Sequence, residues 1–448
     1  MKAKKAVAYR EKDGLAQLFA AWFGAFLGLT LLKFVNPPVF EKSVDWPANG
    51  YEWLINPWPV ATAYGMLALT AVLGIFTMRR EVAGPRWLIT LPLVWLGWQF
   101  LAAGNTVDPG LTRSTLKHFS ACTLCFYLGM FALGRRRNPT GFLLPICGAF
   151  FIVIAVGVQQ HFGGLETSRK YFFTYVYPEM KVVAPELLKK IRSDRIFSTQ
   201  FYPNALAGVV LLLLPATLAT VWRCKRWLTT AARAFLIGVV GLAALACLYW
   251  SGSKGGWLLM LVTGMVLLMR LPFAKRLKWA LVGVVLVAGL AGFALKYAGF
   301  FQRGAKSVGA RFDYWVAAAR TTAAHPVFGT GPGTFGVAYQ AIKRPESEMS
   351  RLAHNDYLQQ ASDSGVVGFA AYLVFIVGSL IYSWPRPEDG GKAKCDLRFS
   401  IWLGLLGWTL QSWFEFGLYI PALAWCGFAW LGWLLATAKP IDKPRIGG

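Results

Sequence analysis

Charge is scarce in this chain, and acid is the scarcest part of it. Only 15% of the 448 residues are Asp, Glu, Lys or Arg, with 21 acids against 46 bases. So few charges cannot cover the surface of a water-soluble globule of this length. Cysteine is sparse as well. The seven cysteines fall in apolar runs or on their basic edges, which excludes an extracytoplasmic disulfide framework. Cys122 and Cys125 are spaced like a redox pair, but inside an apolar run they read as small packing residues. Histidine occurs four times, and no His/Cys cluster has metal-ligand spacing. There is no internal repeat and no low-complexity tract.

Apolar residues fill the space that charge leaves. Aliphatic and aromatic residues make up 56% of the chain, with 32 Phe and 20 Trp. Twelve apolar runs each come near the ~20 residues that cross a bilayer. They lie at about 15–35, 58–78, 87–104, 114–134, 141–160, 202–222, 230–250, 255–271, 279–299, 365–384, 398–415 and 418–437. The pattern predicts an all-α polytopic membrane protein, one membrane domain over 1–448, with about 12 transmembrane helices. In a soluble protein a net charge of +25 would suggest nucleic acid. Here the bases sit between the spans and orient them.

With the N-terminus cytoplasmic, every short cytoplasmic connection is basic. These connections carry Arg79, Arg80 and Arg86; Arg135, Arg136 and Arg137; Arg223, Lys225, Arg226 and Arg233; Arg270, Lys275, Arg276 and Lys278; and Arg386, Lys392, Lys394 and Arg398. With the two tails they hold 26 of the 46 bases against seven acids. The positive-inside rule then predicts both ends inside and an even number of spans. The run at 15–35 is too long for a signal peptide and no small-x-small site follows it, so it reads as an uncleaved first span.

Two long polar segments, 161–200 and 300–363, then lie outside. Each has seven bases, against four and five acids respectively. Long loops are translocated despite charge. The charge fits either lipid headgroups or a polyanionic substrate gripped by Arg. Residues 185–192 read as an interfacial amphipathic turn and 312–322 as a short helix ended by His325 and Pro326. Glycines 329, 331 and 333 suit a tight turn needing positive φ, or a phosphate cradle, with the turn favoured. The stretch from Arg351 to Gln359 places His354, Asn355 and Asp356 at the mouth of an apolar run, where such residues are costly without a task. Read alone, His354 is either a base near neutral pH or a structural residue at a helix start, and Asn355 and Asp356 are good cap types.

Four features occur in order: RIFSTQFYPNALA at 195–207, SGSKGGW at 251–257, Arg311-x-x-x-Trp315 before FGTGPGTF at 328–335, and His354-Asn355-x-Tyr357-Leu358 followed by Ser364-Gly365-Val-Val-Gly368. The chain thereby resembles the O-antigen ligase superfamily, most clearly over 195–380, a superfamily that also contains O-antigen polymerases and some bacterial protein O-oligosaccharyltransferases. Where that family usually has Ser-Arg-Gly, this chain has Ser253-Lys254-Gly255, which keeps the charge and loses the bidentate fork.

The resemblance implies a membrane glycosyltransferase without metal or other cofactor. It would sit in the bacterial inner membrane with its site facing the periplasm, and would pass a glycan from undecaprenyl pyrophosphate to an acceptor hydroxyl, that of lipid A–core. The alternatives are a polymerase of the same superfamily, whose acceptor is the growing glycan, and, in another class, a polysaccharide transporter or flippase. Against the last, mid-span charges are nearly absent and the polar residues gather in two loops on one side. Glycosyltransferases often neutralise the leaving pyrophosphate with a metal on an Asp-x-Asp pair. Neither long loop contains one, so fixed cations take that task. The resemblance assigns Arg195 and Arg311 to the pyrophosphate, then Lys254 and Arg351, with Arg303 behind them. His354 is assigned as the base. Asp356 would orient the imidazole or act as base itself. Asn204, Asn355 and Glu415 complete the candidates, Glu415 and nearby Gln411 being polar intrusions in apolar sequence.

Overall fold

The computed structural model describes residues 2–78, 84–134, 139–179, 188, 191–200, 202–302, 306–385 and 397–438. Outside the described residues lie Arg303, most of the expected turn at 185–192, and several of the orienting bases: Arg79, Arg80, Arg135, Arg136, Arg137, Arg386, Lys392, Lys394 and the C-terminal ones. Among the described residues the regular structure is helical. That follows from a hydrocarbon solvent, in which a lone segment must satisfy its own backbone N–H and C=O groups.

In chain order the helices are α1 (Lys2–Lys33), α2 (Val60–Ile75), α3 (Arg86–Ala102), α4 (Pro109–Tyr127), α5 (Thr140–Gln159), α6 (Pro203–Arg223), α7 (Thr230–Trp250), α8 (Lys254–Arg270), α9 (Lys275–Gln302), α10 (Lys306–Ala324), α11 (Phe335–Ile342), α12 (Asp356–Tyr382), α13 (Leu397–Gln411) and α14 (Pro421–Thr437). Among the described residues, eight helical segments are long and apolar enough to cross a membrane: those built on α1, α3, α4, α5, α6, α7, α9 and α12. The other four expected spans coincide with α2, α8, α13 and α14, which have 16, 17, 15 and 17 residues. The all-α polytopic class therefore stands.

α14 is apolar all round, and it is buried from Pro421 to Leu435. It packs against α4, the π-helical continuation Leu128–Leu133 and α1. The packing of α13 on α6 rests on a missing side chain. A Cβ on Gly404 of α13 would stand 2.0 Å from the Leu212 carbonyl oxygen of α6, so only glycine lets the two backbones meet. The contact aligns the start of α6 with the end of α13, where Gln411 Nε2 donates to the Asn204 carbonyl at 2.9 Å.

Two boundaries differ from the expected ones. The helix begun by α5 runs on past residue 160 through the π-helix Gln160–Gly164, bending at Gly163 (φ 116°), into Leu165–Tyr171. α12 starts at Asp356, nine residues before the expected apolar run. Its first turns are polar yet buried, because partners wait inside the bundle. Gln99 Nε2 donates to Gln360 Oε1 and Ser364 Oγ at 3.0 Å each, and Tyr419 donates its hydroxyl to Asp363 Oδ2 at 3.2 Å.

α12 kinks at Ser364 and Gly365 (φ 71°), and the glycine-rich loop clamps onto the kink. Thr330 N donates to the Ser362 carbonyl at 3.1 Å, and Gly331 N to the Asp363 carbonyl at 2.9 Å. Gly333 N donates to Asp363 Oδ2 at 2.9 Å. Glycines 329, 331 and 333 all have positive φ. The loop's amides are thus engaged with α12, as a tight turn requires and a phosphate cradle does not.

Gly404→Ala is expected to destabilise the protein by about 1–3 kcal/mol through overpacking, seen as a lower unfolding midpoint in detergent. Gly264→Ala on α8, where the added methyl meets open space, is expected to leave the midpoint unchanged.

Candidate active site

Four side chains from three distant pieces of chain meet on one carboxylate, that of Glu415, in the turn between α13 and α14. Its side chain is 5% exposed. Oε2 accepts the Tyr202 hydroxyl at 2.6 Å and faces His354 Nδ1 at 3.3 Å. Oε1 accepts Asn204 Nδ2 at 2.5 Å and also pairs with Arg311 Nη2. Burial opposes ionisation of Glu415. The Arg311 guanidinium and the contacts with His354 and Tyr202 outweigh it and hold the carboxyl down to about 2.

Both arginines are anchored to backbone. Arg195 donates Nε to the Ser251 carbonyl at 2.7 Å and Nη2 to Asn204 Oδ1 at 2.7 Å. The hairpin of the SGSKGG motif is shaped around it: Gly252 has φ 62°, and a Cβ there would stand 3.1 Å from Arg195 Nε. Burial lowers the proton affinity of Arg195, while Glu415 partly restores it. Arg311, from the second turn of α10, donates Nε to the Phe414 carbonyl at 3.1 Å and Nη1 to the Ser307 carbonyl at 3.2 Å.

His354 lies just before α12, with φ 50°. A non-glycine residue in that region carries about 1–3 kcal/mol of strain unless its surroundings fix it. Here Ala353 N donates to Gln359 Oε1 at 2.9 Å, and Trp315 Nε1 to the His354 carbonyl at 3.4 Å. The ring lies between Tyr314, stacked at 5.7 Å, and Phe416, edge-on at 4.8 Å. Because Nδ1 faces an ionised carboxylate, the neutral ring carries its proton there and its lone pair on Nε2.

Two lysines extend the positive field. Lys254 sets its ammonium over the rings of Phe300 (3.7 Å) and Tyr297 (4.9 Å) and feels Arg195 and Arg311. Lys296, from α9, lies over Tyr249 at 3.0 Å and feels Arg195 and Lys254. The sequence reading missed Lys296. Its signal was a base near the end of an otherwise apolar run.

The structure brings together Arg195, Arg311, Lys254, Asn204, His354 and Glu415. It leaves Arg351 apart, donating to the Val39 carbonyl at 3.2 Å and lying over Phe40. Asn355 is a cap, accepting from Leu358 N at 3.0 Å. Asp356 turns away from the imidazole: its Oδ2 accepts Leu418 N at 2.8 Å, fixing the turn that carries Glu415. Of the other histidines, His118 bridges the Leu418 carbonyl and Trp425 Nε1 inside the bundle, and His161 stacks on Trp250 at 3.8 Å. Among the described residues, no three His, Cys, Asp or Glu side chains gather so as to hold a metal ion.

Residues 239–373 match the family model described as O-Antigen ligase. The match supports the O-antigen ligase-like superfamily for this chain. It contains Lys254, Lys296, Arg311 and His354, while Arg195, Tyr202, Asn204 and Glu415 complete the cluster from outside it. An uncharacterized protein of Haemophilus influenzae is 26% identical over 155 residues, covering 30% of this chain and 39% of that relative. The chain thus matches about two fifths of its relative's length.

Arg311→Ala leaves the buried Glu415 charge without its main counter-charge, and is expected to destabilise by about 3–5 kcal/mol. Adding Glu415→Gln should recover most of the melting temperature. Melting curves of the two variants check this. The carboxyl is depressed from 4.5 to about 2, so its contribution is complete above about pH 4.5 and lost as the pH falls towards 2. The wild-type midpoint should drop across that window, and the midpoint of Glu415→Gln should drop less.

Proposed function

We propose that the protein transfers a glycan from a lipid pyrophosphate to an acceptor hydroxyl at the outer face of the bacterial inner membrane. The observation that carries this reading is the cluster itself: four cations, an imidazole and one carboxylate assembled from chain segments far apart in sequence. Positive charge in surplus over the contacted carboxylate suits a leaving pyrophosphate, whose negative charge grows as the bond to the sugar breaks.

The step has a simple balance. The acceptor oxygen attacks the anomeric carbon and the bond from that carbon to the phosphate oxygen breaks. The electron pair leaves with the lipid pyrophosphate, and the hydroxyl proton passes to His354 Nε2. Glu415 holds the opposite nitrogen and stabilises the imidazolium that forms. Arg195 has both Nη1 protons left over after its anchoring bonds and, with Lys254 and Lys296, is the first contact for phosphate. Arg311 spends donors on Glu415, Phe414 and Ser307, so its share is to fix the carboxylate as well as to add charge.

The charge pattern supports cytoplasmic termini and a periplasmic position for this cluster. Lipid A–core as acceptor makes the protein a ligase, and the growing glycan makes it a polymerase. The same machinery serves either.

Reconstituted with undecaprenyl pyrophosphate–glycan and lipid A–core, the wild-type protein is expected to form glycosylated lipid A–core. His354→Ala should lower turnover by about 100–10,000-fold, the usual worth of a general base, with a smaller loss of melting temperature than Arg311→Ala. Wild-type turnover in His354→Ala would remove the base. Glycan elongation in place of core glycosylation would make the protein a polymerase.

A further inference from the structure

We propose that the groove between the outer ends of α3 and α4 is a docking site for an anionic phospholipid, with its phosphate on Arg113 and Lys117. A cavity of about 350 Å3 opens there, lined chiefly by apolar atoms, with Phe100, Ala103, Pro109 and Leu116 beside the two bases. Arg113 and Lys117 are one helical turn apart on the same face of α4, and both are exposed. Among the described residues neither has an acidic partner. The neighbouring carboxylate, Asp108, forms no ion pair with either base and caps α4, its Oδ1 accepting Gly110 N and Leu111 N at 2.9 and 3.0 Å.

Three features select the occupant. The two bases repel one another with no acid among the described residues paired to either, so the groove favours an anion. They stand at the boundary of an apolar run, where basic pockets between spans hold lipid phosphate. The wall is greasy, and Phe100 on it presents an exposed aromatic side chain. A free phosphate would use the bases and ignore that wall, whereas a phospholipid uses both.

The groove also backs onto the glycine-rich loop. Val107 N donates to the Thr330 carbonyl and Thr112 Oγ1 to the Pro332 carbonyl, each at 3.0 Å. A seated lipid therefore braces α4 against the loop that α12 carries.

The test uses the full chain in phosphatidylcholine nanodiscs doped with phosphatidylglycerol that bears a photoreactive group near the headgroup end of its acyl chain. Cross-links are expected at the α3–α4 junction. Arg113→Ala with Lys117→Ala should weaken labelling there by about thirty-fold, the loss of two basic contacts, while Arg113→Lys with Lys117→Arg should retain it. Equal labelling of the double-alanine variant, or equal labelling by photoreactive phosphatidylcholine, overturns the proposal. So does loss of labelling on adding millimolar inorganic phosphate, which would mark a free-anion site. Neither base touches the Glu415 cluster, so failure here leaves the glycan-transfer reading where it stands.

Discussion

The buried negative charge of Glu415 organises the end of the helix bundle that carries the candidate site. A carboxylate taken out of water is tolerated only where cations and donors surround it. This one draws them from three segments: Tyr202 and Asn204 at the start of α6, Arg311 on α10, and His354 before α12. None of these contacts is local, so the bonds that neutralise one charge also fix the relative placement of three helices. The charge makes that placement discrete. A shift large enough to part Arg311 from Glu415 leaves both ions unpaired in a poor solvent. The site is held by an electrostatic condition more than by apolar packing, which tolerates small slips.

A second support reaches His354 from below. Asp363 Oδ2 accepts Gly333 N and the Tyr419 hydroxyl, and Gln359 lies against it at 3.4 Å. Gln359 in turn accepts Ala353 N, immediately before the strained residue. The glycine-rich loop and the histidine motif, twenty residues apart in sequence, are therefore parts of one structure. The glycines serve to bring backbone amides onto α12, and α12 holds the backbone that points His354 at Glu415. This accounts for positive φ at three glycines without calling on a ligand.

The sequence was readable where one force dominates. Apolar runs of bilayer length gave the helices, because in hydrocarbon no other element satisfies the backbone. The bases of the two long polar segments directed attention to Arg195 and Arg311, and an isolated histidine at a span mouth directed it to His354. Reading failed where partners are supplied by the fold. Glu415 stood among secondary candidates because a polar residue in a short turn has a local explanation, and only the assembled structure reveals four donors around it. Lys296 sat unnoticed in an apolar run, since hydropathy averages over a single base. Arg351 was grouped with the site by its nearness in sequence to His354, yet its side chain turns to Val39 and Phe40. The start of α12 was set nine residues late because Gln359, Gln360 and Asp363 look like loop until Gln99, Tyr419 and Gly333 are seen to satisfy them.

The surplus of cations raises its own physical question, which is how four like charges stay together before any anion arrives. The structure answers with aromatic rings and carbonyls. Lys254 and Lys296 rest on the faces of Phe300, Tyr297 and Tyr249, whose electron density offsets part of each ammonium charge. The two arginines lean on the carbonyls of Ser251, Phe414 and Ser307. These are weak compensations compared with an ion pair, and that weakness is useful. A carboxylate opposite each cation would satisfy it fully and would have to be displaced by the substrate. A ring or a carbonyl holds the cation in position and leaves most of its field directed outward. Glu415 is the exception, and its partner Arg311 is accordingly the cation with the most donors already engaged. The site thus divides its charges into a neutralised half that positions the imidazole and an unneutralised half suited to an anion.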